Sequence, residues 1–296
     1  MDRVLVAGHV NWDVTLRVDR LPPADGEATI RSKRQSGGGS AANVAAGLAR
    51  LGVDVALFGS VGDDEHGERI KRSLGEIGVD CASVHAIPEA ETACKYLLVD
   101  DEGTVSVLGN DGANEALGPD AVDPELVRSV DHVHLTSQRP ATASELATVA
   151  REAGCTVSFD PGRRLAHRSY DGTIARADVI FLTGREAEVL RGREEGALAF
   201  GERTVVVTEG SDGAVVHGPD ATTHHAGFDV TPVDTAGAGD AFAAGFLTKW
   251  WQGAPDRHAL RFANACGAVA ATSEGAQTEL PDDRIEAFLE GADDPV

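Results

Sequence analysis

The sequence predicts an α/β fold: a mostly parallel central sheet flanked by helices, with a small β-sheet projecting from it as a lid. Three observations predict it. Short apolar runs alternate with amphipathic stretches of helical period along most of the chain, the pattern of successive βαβ units. A few segments break that rhythm by alternating apolar and polar residues, as strands with one wet face do. The length, 296 residues, suits one large α/β domain. A globule of this size buries roughly three quarters of its unfolded surface without disulfides or a structural metal.

The elements follow in order. Arg3–Gly8, with Val4-Leu5-Val6-Ala7 at its centre, reads as the first core strand and not as a cleavable leader. Asp13–Val18 and Ala28–Arg34 alternate and read as lid strands. Ala42–Leu51 places Val44, Leu48 and Leu51 on one helical face. Val53–Phe58 is the next core strand, and Gly67–Leu74 a helix capped from the Asp63-Asp64 side. Ala93–Val99, the turn Asp100-Asp101-Glu102-Gly103 and Thr104–Leu108 complete the lid. Core strands resume at His132–Leu135, Cys155–Asp160, Val179–Leu182 and Thr204–Thr208. The expected organisation is one domain over 1–296, its lid formed near 13–34 and 93–108.

Composition narrows the partners. Asp and Glu total 48 against 26 Lys and Arg, a formal net charge of −22, and Lys33, Lys71, Lys95 and Lys249 are the only lysines. Such a surface repels nucleic acid and anionic lipid. Carboxylate-rich, lysine-poor surfaces stay soluble where about 1 M salt shrinks the Debye length to roughly 3 Å, so a halophilic, salt-loving cytoplasm is expected. No apolar run reaches the ~18 residues of a membrane span. Cys81, Cys94, Cys155 and Cys266 lie far apart, without the close spacing of a zinc site, and read as free thiols. His132 and His134 share a face of a core strand, His224-His225 lies in a late strand, and all read as structural.

The chemistry concentrates in Val233-Asp234-Thr235-Ala236-Gly237-Ala238-Gly239-Asp240-Ala241-Phe242. Gly237-Ala238-Gly239 lets backbone N–H groups approach an anion at a helix N-terminus, where the macrodipole favours negative charge. Asp240 stands in the first turn. A carboxylate beside an anion hole is electrostatically wasteful unless it takes a proton, which is what phosphoryl transfer to a hydroxyl requires. As a bare G-x-G-D, the segment would equally be a Gly-rich turn with a capping Asp.

The longer pattern resembles the C-terminal signature of the ribokinase/PfkB family of carbohydrate and nucleoside kinases. Gly37-Gly38-Gly39-Ser40-Ala41-Ala42-Asn43-Val44-Ala45 is similar to its N-terminal signature. Val61-Gly62-Asp63-Asp64-Glu65-His66-Gly67 and Thr208-Glu209-Gly210-Ser211-Asp212-Gly213 resemble two further family motifs, and all four stand in family order. The resemblance implies Asp240 as catalytic base beside an anion hole of Gly237, Ala238 and Gly239. It implies sugar-hydroxyl contacts from Asn11 and Asp13, and a sugar-binding Gly-rich turn with Gly38, Gly39 and Asn43, Asn43 being alternatively a helix cap. On the ATP side it implies Thr208, Gly210 and Gly213, with Asn264 either beside adenine or a helix-surface amide. The family's N-x-x-E stands here as Thr183-Gly184-Arg185-Glu186; Glu186 would organise Mg²⁺ through water, and Thr183 offers a hydroxyl in place of an amide. Asp234 matches a position associated with K⁺, or braces its loop. ATP, Mg²⁺ and possible K⁺, and a homodimer formed through the lid, follow from the same resemblance.

The acceptor is read less directly. Thr136-Ser137-Gln138-Arg139-Pro140 and Asp160-Pro161-Gly162-Arg163-Arg164 each follow a strand C-terminus, where α/β folds gather ligands. Gln138, Arg139 and Arg163 are candidate substrate contacts. Arg139, Arg163, Arg164 and Lys95 either pair with the abundant carboxylates or recognise a phosphate already on the acceptor. A pentose or pentose 1-phosphate acceptor therefore stands beside a nucleoside, disfavoured by only 5% aromatic residues. A non-catalytic sugar or nucleotide sensor is the other alternative, and an intact Asp240 speaks against it. No G-x-G-x-x-G follows the first strand, and no P-loop or protein-kinase signature occurs.

Overall fold

The computed structural model describes residues 3–102, 104–192 and 203–291. Its larger sheet is built around parallel strands β1 (Val4–Ala7), β4 (Val55–Gly62), β9 (His132–Leu135), β10 (Thr156–Phe159), β11 (Val179–Thr183) and β12 (Thr204–Thr208), with β2 (Asn11–Val18) and β3 (Ile30–Gly38) departing from it. Short strands β5 (Val79–Asp80) and β6 (Val84–Ile87) pair with β4, and β13 (Ala214–His217) and β14 (Thr222–His225) add an antiparallel edge beside β12. The order is β14-β13-β12-β11-β10-β9-β1-β4-β5, so β1 is interior and its apolar run is buried on both faces. Period-2 alternation divides it: Val4 and Val6 join one core cluster, Leu5 and Ala7 the other.

Helix α1 (Ser40–Arg50) packs on the first face with α7 (Ala238–Trp251) and α8 (Asp256–Ala271), and α9 (Asp282–Gly291) packs on α8. The second face is covered by α3 (Pro124–Arg128), α4 (Pro140–Glu152), α5 (Asp171–Ile174) and α6 (Gly184–Arg191). Helix α2 (Glu65–Glu76) starts at the N-cap Asp64, whose side chain accepts from the Gly67 N–H at 2.9 Å. His132 and His134 are fully buried and bond Ser158 and Thr156 hydroxyls; burial holds both imidazoles below their ordinary range, as uncharged structural groups.

The lid is a four-stranded sheet, β3-β2-β7-β8, with β7 spanning Cys94–Val99 and β8 Val105–Gly109. Its strands run beyond the expected bounds: β2 begins at Asn11, and β3 continues to Gly38. The Gly37-Gly38 pair is therefore the end of a strand instead of a free turn. Strands β2 and β7 pair in parallel, which sets Asp13 opposite Lys95. Gly103 of the expected lid turn lies outside the described residues.

Candidate active site

The site lies where α1 and α7 begin. Gly39 precedes α1 with φ +94°, and a Cβ there would collide with the His9 carbonyl. Gly237 precedes α7 with φ +77°, a left-handed conformation, and a Cβ would strike the Ala276 carbonyl. Both helix starts thus require glycine. A helix's first N–H groups have no partner within the helix. The Ala238 N–H reaches back to the Thr235 carbonyl at 3.3 Å, and those of Gly239 and Asp240 have no protein acceptor among the described residues.

Asp240 is half-buried, and Asn43 Nδ2 donates to its Oδ2 at 2.8 Å. Its carboxyl is pushed up to about 6, chiefly by burial, with Asn43 and Lys95 opposing and Asp13 adding to the rise. Asn43 is not a cap: it lies inside α1, its own N–H bonded to the Gly39 carbonyl, with its side chain turned onto Asp240. Small residues set this meeting. A Cβ on Gly47, one turn beyond Asn43, would stand 2.9 Å from the Ala244 Cβ, one turn beyond Asp240.

Across from Asp240 stands the lid. Asp13, half-buried, is also pushed up to about 6 by burial, with Lys95 opposing and Asp234 adding to the rise. Gly38 has no room for a side chain because the Asp13 carboxylate occupies the space. Asn11 is fully buried, its amide between that of Asn114 and the Lys95 ammonium, the latter at 3.0 Å. Asn11, Asp13, Gly38, Gly39, Asn43 and Asp240 therefore gather at one place, with Lys95 as the cation. Asn114 belongs to none of the motifs; it lies in the loop after β8 and its Oδ1 accepts the Val10 N–H at 3.1 Å.

The expected nucleotide residues collect at the C-terminal ends of β11 and β12, where Thr183 pairs in register with Thr208. The Gly210–Asp212 turn follows, with Gly210 at φ +65° and Gly213 at φ +84°. Thr208 Oγ1 lies 3.4 Å from the Leu182 carbonyl. Thr183 caps α6, its hydroxyl accepting from the Glu186 N–H at 3.3 Å while Glu186 Oε2 accepts the Thr183 N–H at 2.8 Å.

Asp160, at the end of β10, is a carboxylate that no sequence motif singles out. Burial pushes it up to about 8, with Glu186 and Asp240 repelling its charge and the Gly162 N–H opposing. Its sequence signal is its place at a strand C-terminus in an Asp-Pro-Gly turn, within the loop already marked as one where ligands gather. Among the described residues no three His, Cys, Asp or Glu side chains form a preorganised metal set. Both oxygens of Asp234 accept backbone N–H groups, from Ala236 at 2.9 Å and Gly275 at 3.1 Å, bracing the loop before Gly237.

Three of the candidates have partners within the protein. Gln138 is buried, with its Nε2 donating to the Ala7 carbonyl at 3.3 Å. Asn264 is no surface amide: it is buried in α8, with Nδ2 donating to the Leu260 carbonyl at 2.9 Å. That bond, one turn back in its own helix, uses one of the two amide hydrogens. Arg164, adjacent to Arg163 in sequence, pairs with Asp111 and Glu115, whereas Arg139 and Arg163 are exposed.

Known proteins resemble the chain over nearly its whole length. The profile of the pfkB family carbohydrate kinases matches residues 1–283. The chain is 58% identical to an ATP-dependent ribose-1-phosphate kinase of Halopiger xanaduensis, over 98% of each chain. It superposes on a ribokinase of Arabidopsis thaliana complexed with ribose and ATP with a TM-score of 0.85, 26% identity and 98% of each chain covered. A ribokinase of Thermotoga maritima shares the fold with a TM-score of 0.87, 24% identity, and 98% and 100% of the two chains covered. With two signatures, their order and the ribokinase-like sheet and lid in agreement, the chain belongs to the PfkB family of carbohydrate kinases.

Proposed function

We propose that this kinase transfers the γ-phosphoryl group of ATP to a hydroxyl of ribose 1-phosphate or a closely similar small pentose, with Asp240 as general base. The carrying observation is Asp240 itself, a carboxyl shifted to about 6, held by Asn43 and placed in the first turn of α7. A base of that basicity is ionised near neutral pH and accepts a proton readily. The 58% identity to a ribose-1-phosphate kinase supports the acceptor.

In this mechanism Asn11, Asp13 and Lys95 hold the sugar hydroxyls, and Gly38 and Gly39 let its ring lie against backbone. Asp240 takes the proton of the attacking hydroxyl. The Gly239 and Asp240 N–H groups, at the positive end of α7, stabilise the charge on the phosphoryl group in transfer. Thr208, Gly210 and Gly213 lie along the nucleotide. Asp160 and Glu186 would hold magnesium through water, and their mutual repulsion is the feature that fits a cation between them. Magnesium when bound neutralises phosphate charge. Asp234 would supply a carboxylate to a potassium site in the same loop, checked by comparing turnover in KCl and NaCl.

Four free cysteines suit a reducing, cytoplasmic setting. The net charge of −22 supports a high-salt optimum, and greatest stability in dilute buffer would overturn it. The lid exposes Ile30, Tyr96, Val105, Val107 and Leu108, which supports dimerisation through the lid, checked by light scattering of Leu108→Glu.

ADP release with ribose 1-phosphate, ribose and nucleosides in high KCl, with Asp240→Asn as control, tests the function. Turnover on ribose 1-phosphate that falls roughly 10²–10⁴-fold in the variant is expected. Equal turnover in both proteins would reject Asp240 as base.

A further inference from the structure

One cluster of charged groups is left over after the sugar and nucleotide positions are assigned. Glu115 is held by two guanidinium groups and an imidazole: Arg168 at 2.8 Å, Arg164 at 3.1 Å and His9 Nε2 at 3.0 Å. Arg164 also reaches Asp111, and Arg168 donates to the Gln138 carbonyl at 3.2 Å. Glu115 has φ +62°, a left-handed conformation uncommon outside glycine, and its side chain is 11% exposed. Backbone held in such a region is found where structure around a functional site enforces it. Arg139 lines the same small cavity as His9, Glu115 and Gln138, and Arg163 adjoins Arg164 in sequence. Neither Arg139 nor Arg163 pairs with a carboxylate among the described residues. In a chain of net charge −22, a place where arginines outnumber their carboxylate partners is unusual.

The cluster is contiguous with the sugar pocket. Glu115 follows Asn114, whose amide meets Asn11. His9 lies two residues before Asn11, and its carbonyl faces Gly39. Asn11 meets Lys95, which acts electrostatically on both Asp13 and Asp240. Contacts therefore run from Asp240 across the sugar-binding residues to the arginines.

We propose that Arg139, Arg164 and Arg168, with His9, form the subsite for the phosphate that the acceptor already carries, at the end of the sugar pocket away from Asp240. The inference rests on the sugar-phosphate reading above. A guanidinium has five donors in a fork matched to phosphate oxygens. Glu115 engages part of each fork and orients Arg164 and Arg168 before the acceptor arrives. The cavity holds only about 10 Å³, the room of a single water, so the phosphate docks at its rim beside the exposed Arg139. A dianionic acceptor approaching so acidic a protein needs such a local cation field, and free ribose does not.

Calorimetric titration with D-ribose 1-phosphate and with D-ribose, at fixed KCl, tests this in Asp240→Asn protein, where binding is read without turnover. Adding Arg139→Gln, Arg164→Gln or Arg168→Gln is expected to weaken ribose 1-phosphate binding tenfold or more, and at least tenfold more than ribose binding. Equal weakening for both ligands, or none, overturns the subsite. Arg139 is exposed and partnerless among the described residues, so its replacement guards against misfolding as the cause. If the unmodified enzyme phosphorylates ribose 1-phosphate while the arginine variants bind it normally, the subsite fails and the proposed function stands. If it phosphorylates only free sugars, both fail.

Discussion

Asn43 and Asp240, 197 residues apart in the chain, meet in a 2.8 Å hydrogen bond, one helical turn from the close approach of Gly47 to Ala244. The pairing joins the two family signatures physically. The first supplies a donor that steadies the ionised carboxylate, and the second supplies the carboxylate. Helices α1 and α7 can come this close because their facing residues are small.

Replacing Asn43 with Ala should raise the Asp240 pKa, because the hydrogen bond favours the charged form. Activity as general base requires that form, so kcat/KM of the unmodified enzyme should climb with pH through about 6 and then level. A hydrogen bond to a charged group contributes about 1.5–3 kcal/mol, so the acidic limb should move up by about one unit or more in Asn43→Ala. An unmoved limb in the pH profile would remove Asn43 from the positioning of the base.

Gly47→Val should separate α1 from α7. Even one Cβ would stand 2.9 Å from that of Ala244, with backbone behind both. Overpacking of this kind costs about 1–3 kcal/mol, and it should also lower kcat by lengthening the Asn43–Asp240 contact. Thermal melts and steady-state kinetics measure the two effects, and a variant with lowered melting temperature but unchanged kcat would show that the helix spacing does not govern the base.

Asp160→Asn should stabilise the free protein at alkaline pH while impairing turnover. Its folded pKa of about 8 lies above the ordinary 3.8, so the folded form binds its proton more tightly than the unfolded chain. Its contribution to stability is full below about pH 4 and is lost as pH rises to about 8. Asparagine removes that loss, so the variant's gain in melting temperature should be greater at pH 8 than at pH 4. A gain equal at both pH values would contradict the burial of a charge at this position.

Thr183→Ala should cost about 0.5–2 kcal/mol, the range for loss of a hydroxyl N-cap, since it removes the acceptor for the Glu186 N–H. Thr183→Asn keeps a capping side chain and should retain most of that stability. Chemical denaturation of both variants checks the ordering, and equal losses would mean that the cap contributes nothing beyond its shape.

Local residue patterns carried most of the elements and singled out Asp240 as the candidate base. Periodicity is local, so β1, β9, β11 and β12 were legible as apolar runs and α1 and α2 as amphipathic stretches. Glycine punctuation is local too: Gly237 before Ala238-Gly239-Asp240 already implied a helix start with a carboxylate in its first turn. Strand ends were less legible, because the extension of β3 to Gly38 depends on pairing with β2 and not on propensity.

Which polar groups meet depends on how remote segments pack. Nothing in the order of residues announces that Asn43 points at Asp240, that β2–β7 pairing sets Asp13 beside Lys95, or that Glu115 collects His9, Arg164 and Arg168. Nor does it announce that the amides of Gln138 and Asn264 turn inward to backbone carbonyls. A side chain's periodic position names the face it occupies. Its partner depends on the packing of remote segments, which small residues such as Gly47 and Ala244 permit, and on the need of every buried polar group for a hydrogen-bond partner.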